Sequence, residues 1–204
     1  LGFANRRGIA NLNIGGNGRY LLVDHPIIRT LHTFTRYEYN RDLETKELQS
    51  ENWFWRFLNI NTHVGDQVGV GVTRNREGLT EDFQISPGVF IPAGKYSFVD
   101  LNAELNFSQQ RNFSPGVQLN SGEFYNGDRD RVRSYIDWRP DEHLFLSFSY
   151  DYQKIELPAG NFDVRLVSAN ANYAFNSKWS WVNLVQYDNN SSTVGLNSRL
   201  RWNP

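Results

Sequence analysis

Apolar and polar residues alternate with a period of two along most of this 204-residue chain. A two-residue period places successive side chains on opposite faces, so the segments that carry it read as β-strands. The last third carries it most clearly. In 144–152, Leu144, Leu146, Phe148, Tyr150 and Tyr152 alternate with Ser147, Ser149 and Asp151. Tyr173 and Phe175 end a second run, Asn176, Ser177 and Lys178 turn it, and Trp179, Trp181, Val185 and Tyr187 continue it. Val194, Leu196, Leu200 and Trp202 then oppose Asn197, Arg199 and Arg201.

Earlier segments repeat the pattern. Strands are expected from Arg6 to Tyr20, from Ile28 to Asn40, over 52–63, from Val68 to Arg74, from Val99 to Phe107, from Val117 to Tyr125 and near 131–138. In 52–63, Trp53, Trp55 and Phe57 take one side, but Phe54, Arg56, Leu58 and Ile60 take the other, so the period assigns no face there. The breaks are turn-like: Asp24-His25-Pro26, Gly65-Asp66, Asn126-Gly127-Asp128 and Pro140-Asp141. The longest break, Asn75 to Lys95, holds two prolines and three glycines, and loops of that length are functional or mobile. About eleven strands follow one another hairpin by hairpin. The expectation is an all-β, antiparallel, up-and-down architecture.

One face of every strand is greasy, and composition bears on what it meets. Mean hydropathy is only -0.58, yet aromatics reach 15%. That combination suits strands apolar on one side and ringed by Trp, Tyr and Phe, as in a transmembrane β-barrel. No run approaches the ~20 apolar residues of a spanning helix, but a barrel strand needs only about 10. The turns at alternate ends are expected to differ in length, the set containing 75–95 being the longer, as for short periplasmic turns and longer external loops. Net charge is -1, which gives no reason to expect nucleic acid as a partner. With no cysteine in the chain, disulfides and thiolate metal sites are excluded. The first residues, Leu1-Gly2-Phe3, and the lack of methionine suggest a piece of a longer protein.

Several segments carry a family likeness. The strand ending SFSYDY, the loop LPAGNFD, the run YAFNSKWSWVNLVQYDNN and the close GLNSRLRWNP, with FQISPGVFIPAGKY and GEFYNGDRDRV before them, resemble the C-terminal barrel region of certain bacterial outer-membrane proteins. Those proteins carry a family 9 carbohydrate-binding-like domain at the N-terminus. The resemblance implies an integral β-barrel in the outer membrane of a Gram-negative cell, with 1–204 as the C-terminal part of a single barrel domain. This chain lacks the carbohydrate-binding-like domain, so no sugar-binding residue carries over, and it stops where the family runs into further strand. Part of the wall is therefore expected to lie outside these residues.

On that architecture the charged residues Arg36, Glu38, Asp100, Glu104, Arg131, Arg133, Asp137, Asp151, Arg199 and Arg201 face a lumen, where they pair or line water. Their mixed signs argue against a strongly ion-selective channel. Trp53, Trp55, Trp138, Trp179, Trp181, Trp202 and Tyr187 are expected at the membrane interface, and outer-membrane lipid and lipopolysaccharide are the expected partners. Phe83, Phe90 and Ile91 in the long break are candidates for folding into the lumen or meeting another outer-membrane or surface protein.

Catalysis has little support. His25, His63 and His143 fall at strand ends, and His32 lies mid-strand on the polar side near Arg36 and Glu38. No metal-ligand pair, nucleophile elbow or phosphate loop occurs, and no metal or cofactor is expected. The leading expectation is a passage or anchoring scaffold without chemistry. The alternative is a surface carbohydrate- or ligand-binding module using 77–95, and a weaker one is an outer-membrane hydrolase.

Overall fold

The computed structural model describes residues 8–203. The first strand was expected from Arg6, which lies outside the described residues. Thirteen strands form: β1 Ile9–Leu21, β2 Ile28–Asp42, β3 Leu48–Thr62, β4 Gln67–Leu79, β5 Phe83–Ser86, β6 Val89–Ile91, β7 Gly94–Asn106, β8 Phe113–Phe124, β9 Gly127–Trp138, β10 Leu144–Leu157, β11 Gly160–Ala174, β12 Trp179–Asp188 and β13 Thr193–Trp202. Eleven make one antiparallel sheet in chain order, while β5 and β6 pair only with each other. The sheet is not closed. β1 and β13 each keep a free edge and run in the same direction, so antiparallel closure takes an odd number of further strands.

Register fixes the faces. Leu105, Ala103 and Leu101 of β7 pair with Val68, Val70 and Val72 of β4, while Asn102 and Glu104 pair with Gly71 and Gly69. Followed from strand to strand, one face carries nearly all the large apolar side chains and the other carries the amides and most of the charges. The undecided stretch in β3 is settled by a bulge. Trp55 pairs with Val72 but Leu58 pairs with Val70, so β3 carries one extra residue there. An extra residue flips the parity beyond it. Trp53, Trp55 and Phe57 before the bulge and Leu58 and Ile60 after it therefore share the apolar face, and Phe54 and Arg56 lie on the polar one.

Two expectations about the connections need correction. Pairing between β4 and β7 continues through Asn75↔Phe98 to Leu79↔Gly94. Residues 75–79 are thus strand, without an apolar side chain before Leu79 and so without visible alternation, and the true connection is 80–93. The turns also do not sort cleanly by length. Those at one end (22–27, 63–66, 107–112, 139–143, 175–178) hold four to six residues. At the other end, 43–47, 125–126, 158–159 and 189–192 are no longer, and only 80–93 stands out. There the chain has spent its length on extended strands instead of loops. The end bearing 80–93 is called the hairpin end below.

Burial is inverted relative to a soluble sheet. Among the described residues only Val89, Ile91, Phe98, Ile155 and Leu157 are buried apolar side chains, whereas thirty-five large apolar residues are exposed. All five buried ones sit on the polar face or on the β5–β6 hairpin that folds over it. The hairpin's cluster takes in Leu79 of β4, Tyr96 of β7, Phe124 of β8, Ile155 and Leu157 of β10 and Phe162 of β11. Laid flat, β4 to β11 span five inter-strand steps, about 24 Å, more than a two-stranded hairpin covers. The sheet must curl around the hairpin, and the polar face is the concave one.

Candidate functional site: the concave polar face and its hairpin

The concave face is built from short polar side chains at alternate positions, which the pleat aims inward. Amides dominate. Asn52 donates to Asn75 at 2.7 Å, Gln67 to Asn59 at 2.8 Å, Asn11 to Asn40 at 2.7 Å and Asn40 to the Ser50 hydroxyl at 3.0 Å. Asn102 donates to Thr73 Oγ1 at 3.0 Å. Tyr135 donates its hydroxyl to Asn106 at 3.0 Å while its ring lies over Gly116. A Cβ at Gly116 would meet that ring at 2.3 Å, so only glycine fits beneath it.

Charges are tied into this lattice. Arg56 Nη1 donates to Glu104 Oε1 at 2.5 Å, and the pair borders a polar recess of about 290 Å³ with Phe54, Asn102, Gln118 and Asn120. Arg131 grips Asp151 with two nitrogens, Nε at 2.9 Å and Nη2 beside it. Paired in this two-pronged way, the charges are held in one geometry. Asp100 is buried and accepts from Asn120 at 3.4 Å and Asn75 at 3.5 Å. Three buried polar atoms, Arg56 Nε, Asn170 Oδ1 and Asn172 Oδ1, have no protein partner. All three belong to the concave face, where water or a polar solute satisfies such groups.

The ten charged residues expected on the inner side do share this face by register. The structure joins Arg131 with Asp151 and gives Glu104 a partner in Arg56. Glu38 is 3.5 Å from the amides of Asn11 and Asn40. Arg199 Nε donates to Asn197 at 3.0 Å on the edge strand. Arg36, Arg133, Asp137 and Arg201 are on the face without entering these pairs. Arg56 escaped the sequence reading because the bulge hid its parity.

At the hairpin end the face turns apolar. Val89 and Ile91 pack on Ile155 and Leu157. Tyr125 contacts Phe124, Phe98 and Tyr96 with ring centroids 4.9, 5.1 and 5.3 Å away. Tyr125 also holds φ at 55°, a left-handed conformation costly for a bulky residue. Its ring packing keeps it there, and burial pushes its phenol above the ordinary tyrosine range. The turn is thus Tyr125-Asn126 and not Asn126-Gly127-Asp128, whose Gly127 and Asp128 open β9. Ile91 is fully buried in the hairpin's cluster, whereas Phe83 and Phe90 on the same hairpin remain exposed. Ile155 and Leu157 lie past the alternation read to Tyr152, Val89 lies in the long break, and Phe98 stands just before the alternation read from Val99.

The convex face is the complement. Trp53, Trp55, Trp138, Trp179, Trp181, Trp202 and Tyr187 all lie on it by register. Trp138, Trp179 and Trp202 end their strands, whereas Trp53 and Trp55 lie mid-strand because β3 runs on beyond them. Three of the indoles find partners within the wall. Trp53 Nε1 donates to Thr35 Oγ1 at 2.9 Å, Trp55 to Thr33 at 3.2 Å and Trp181 to Ser198 at 2.9 Å. The threonine hydroxyls donate onward to the carbonyls of Phe54 and Arg56.

The histidines act as turn fasteners. His63 Nε2 lies 2.9 Å from the His25 carbonyl and His143 Nδ1 lies 2.7 Å from that of Ala174, while His25 Nδ1 accepts from the Ile28 amide at 2.8 Å. None of the four rings hydrogen-bonds a hydroxyl among the described residues, and His, Asp and Glu form no cluster suited to a metal there. No protein-family model, curated protein or solved structure matches this chain. The likeness to outer-membrane barrel regions rests on the motifs quoted above.

Proposed function

We propose that this chain is part of the wall of an integral outer-membrane β-barrel, acting as a passage or as an anchoring scaffold, without catalysis. The inverted burial carries the reading: most of the thirty-five exposed large apolar residues lie on the convex face; in water that face would drive aggregation, while against lipid it needs no cover. Dimensions agree with it. On β10 the convex apolar rows from Leu144 to Tyr152 run about 27 Å along the strand, or about 21 Å at a tilt of about 40°, close to the ~25 Å band of such barrels. Indole and hydroxyl groups satisfied within the wall meet the demand of a solvent that offers no hydrogen bonds. Toward the hairpin end the convex face then changes to Arg41, Glu51, Arg74, Arg76, Lys95, Glu123, Asp128, Asp130, Lys154, Glu156, Asp163 and Arg165, as expected of strand ends that protrude from the bilayer. We assign that end to the cell exterior and the localisation to a Gram-negative outer membrane.

Full-length protein should show heat-modifiable gel migration and depend on detergent to fold; a chain that folds in plain buffer rejects the barrel. In planar bilayers, removal of 80–93 should raise single-channel conductance. Silence with and without the hairpin assigns the protein to scaffolding. A second reading, recognition of a surface ligand, has one observation in its favour: Phe83 and Phe90 stay exposed on a docked hairpin. Ligand binding lost in the double alanine variant, with conductance unchanged, is what that reading requires.

A further inference from the structure

We propose that Arg74, Arg76 and Lys95 form a site on the convex face for the phosphate of a lipid headgroup. The inference rests on the barrel reading and adds to it a ligand class and the residues that take it. Along the charged belt, signs are segregated by sector. Over β2 to β7 the belt holds Arg41, Arg74, Arg76 and Lys95 against Glu51 alone; over β8 to β11 acids outnumber bases.

The cations of the two sectors differ in partnership. Lys154 and Arg165 are paired, at 3.0 Å to Glu156 and 2.7 Å to Asp163. Arg76 reaches Glu51 at 3.3 Å, but Arg74 and Lys95 have no hydrogen bond or ion pair among the described residues. Arg74 is the sharper case. It pairs in register with Trp53 on one side and Val99 on the other, so its guanidinium springs from the last apolar row. A charge there must reach the headgroup layer and find an anion.

Spacing suits one tetrahedral anion. Arg74 and Arg76 are about 7 Å apart along β4, and Lys95 is the diagonal neighbour of Arg76 across β7 at a similar distance. Gly78 pairs with Lys95 and has the Leu48 carbonyl where a side chain would begin, and a recess of about 250 Å³ beside it is lined by Leu48, Arg76, Glu77, Lys95, Tyr96 and Ser97. Arg76 stands midway between Arg74 and Lys95, which lie about 14 Å apart, so three long cationic side chains converging over Arg76, just above the apolar band, match a phosphate fixed to acyl chains. The chains would lie along Trp53, Val72 and Val99 below it.

The test uses full-length protein in detergent, with bound lipid counted by native mass spectrometry. It is titrated with bisphosphorylated lipid A, with the same lipid stripped of phosphate, and with inorganic phosphate as competitor. Wild type should hold the phosphorylated lipid at least tenfold more tightly than the stripped one. R74A/K95A should lose at least tenfold, R74K should retain most of the affinity, and K154A/R165A at the same height should change nothing. Equal binding by R74A/K95A, or by the stripped lipid, overturns the site. Competition by inorganic phosphate at concentrations matching the lipid also overturns it, in favour of a free-anion site. If the double variant does not show heat-modifiable migration, R74Q and K95A singly carry the same comparison. Detergent-dependent folding with unaltered lipid binding defeats this site alone, whereas folding in plain buffer defeats the barrel beneath it.

Discussion

The two faces of the eleven-stranded sheet solve opposite problems with the same backbone. The concave face leaves polar groups open to water and concentrates its buried apolar residues under one hairpin. The convex face leaves apolar groups open and ties its scattered hydroxyls and indoles together. Neither face has a conventional core. What stabilises the wall is its hydrogen-bonded ladder plus whatever solvent each face meets, so the same substitution should have very different costs on adjacent residues of one strand.

Phe148 and Ser149 provide the strongest form of that contrast. Phe148 pairs with Ile136 and Ala169 in the middle of the convex band, and Ser149 pairs with Tyr135 and Ser168 on the concave side. Phe148→Arg should destabilise the protein in lipid vesicles by about 2–4 kcal/mol. Ser149→Arg should cost less than about 1 kcal/mol, because the added charge meets water. Denaturant titration in vesicles measures both, and equal costs would remove the distinction between the faces.

The concave face has its own exception, the hairpin cluster. Leu157 is 6% exposed and packs with Ile155, Val89 and Ile91. Leu157→Ala should weaken hairpin docking by about 2–3 kcal/mol while leaving the wall folded. Faster proteolytic cutting within 80–93 with unchanged heat-modifiable migration is the expected result; loss of the wall itself would make the hairpin part of the sheet's foundation.

A smaller effect is expected where the concave face holds charge. Glu104→Ala strands Arg56, whose Nε is already without a partner. Because the side chains are 23% and 13% exposed and border a recess, water relieves part of the loss, leaving about 1–2 kcal/mol. Glu104→Gln should recover part of it. A neutral outcome for both would mean that the pair is solvated throughout.

How far this was legible in the sequence follows the same division. Alternation at 144–152 and 179–187 was enough to give the strands, their antiparallel order and the membership of both faces, because one side of each strand must be apolar and the period is rigid. It failed at 52–63, where a bulge changes parity in mid-strand and no residue type announces a bulge. It failed at 75–79, where a strand that has left the apolar band carries no apolar side chain before Leu79. The hairpin core was hidden for a third reason. Ile155 and Leu157 face Val89 and Ile91 from more than sixty residues away, and pairing across a lumen leaves no local period to read.

The smallest effect tests how the convex face manages its polar atoms. Trp53→Phe keeps an aromatic ring beside Trp55, whose ring lies 6.2 Å away at 15° between planes, and deletes the indole N–H together with the pyrrole part of the ring. Thr35 would then lose an acceptor role but keep its donation to the Phe54 carbonyl at 3.1 Å. An oxygen lone pair left free is cheaper than an N–H left bare, so the hydrogen-bond share of the cost should be about 0.5–1 kcal/mol, the lost ring area being common to the single and double variants. Thr35→Val removes the acceptor instead, leaving the indole donor with nothing and the Phe54 carbonyl with one bond fewer. It should cost more, about 1–2 kcal/mol. In the double variant both partners are gone and the cost should fall below the sum of the two, by roughly the worth of the bond. That non-additivity is the signature of a hydrogen bond facing a solvent that cannot replace it; strict additivity would mean that water reaches Thr35 and that the band ends below Trp53.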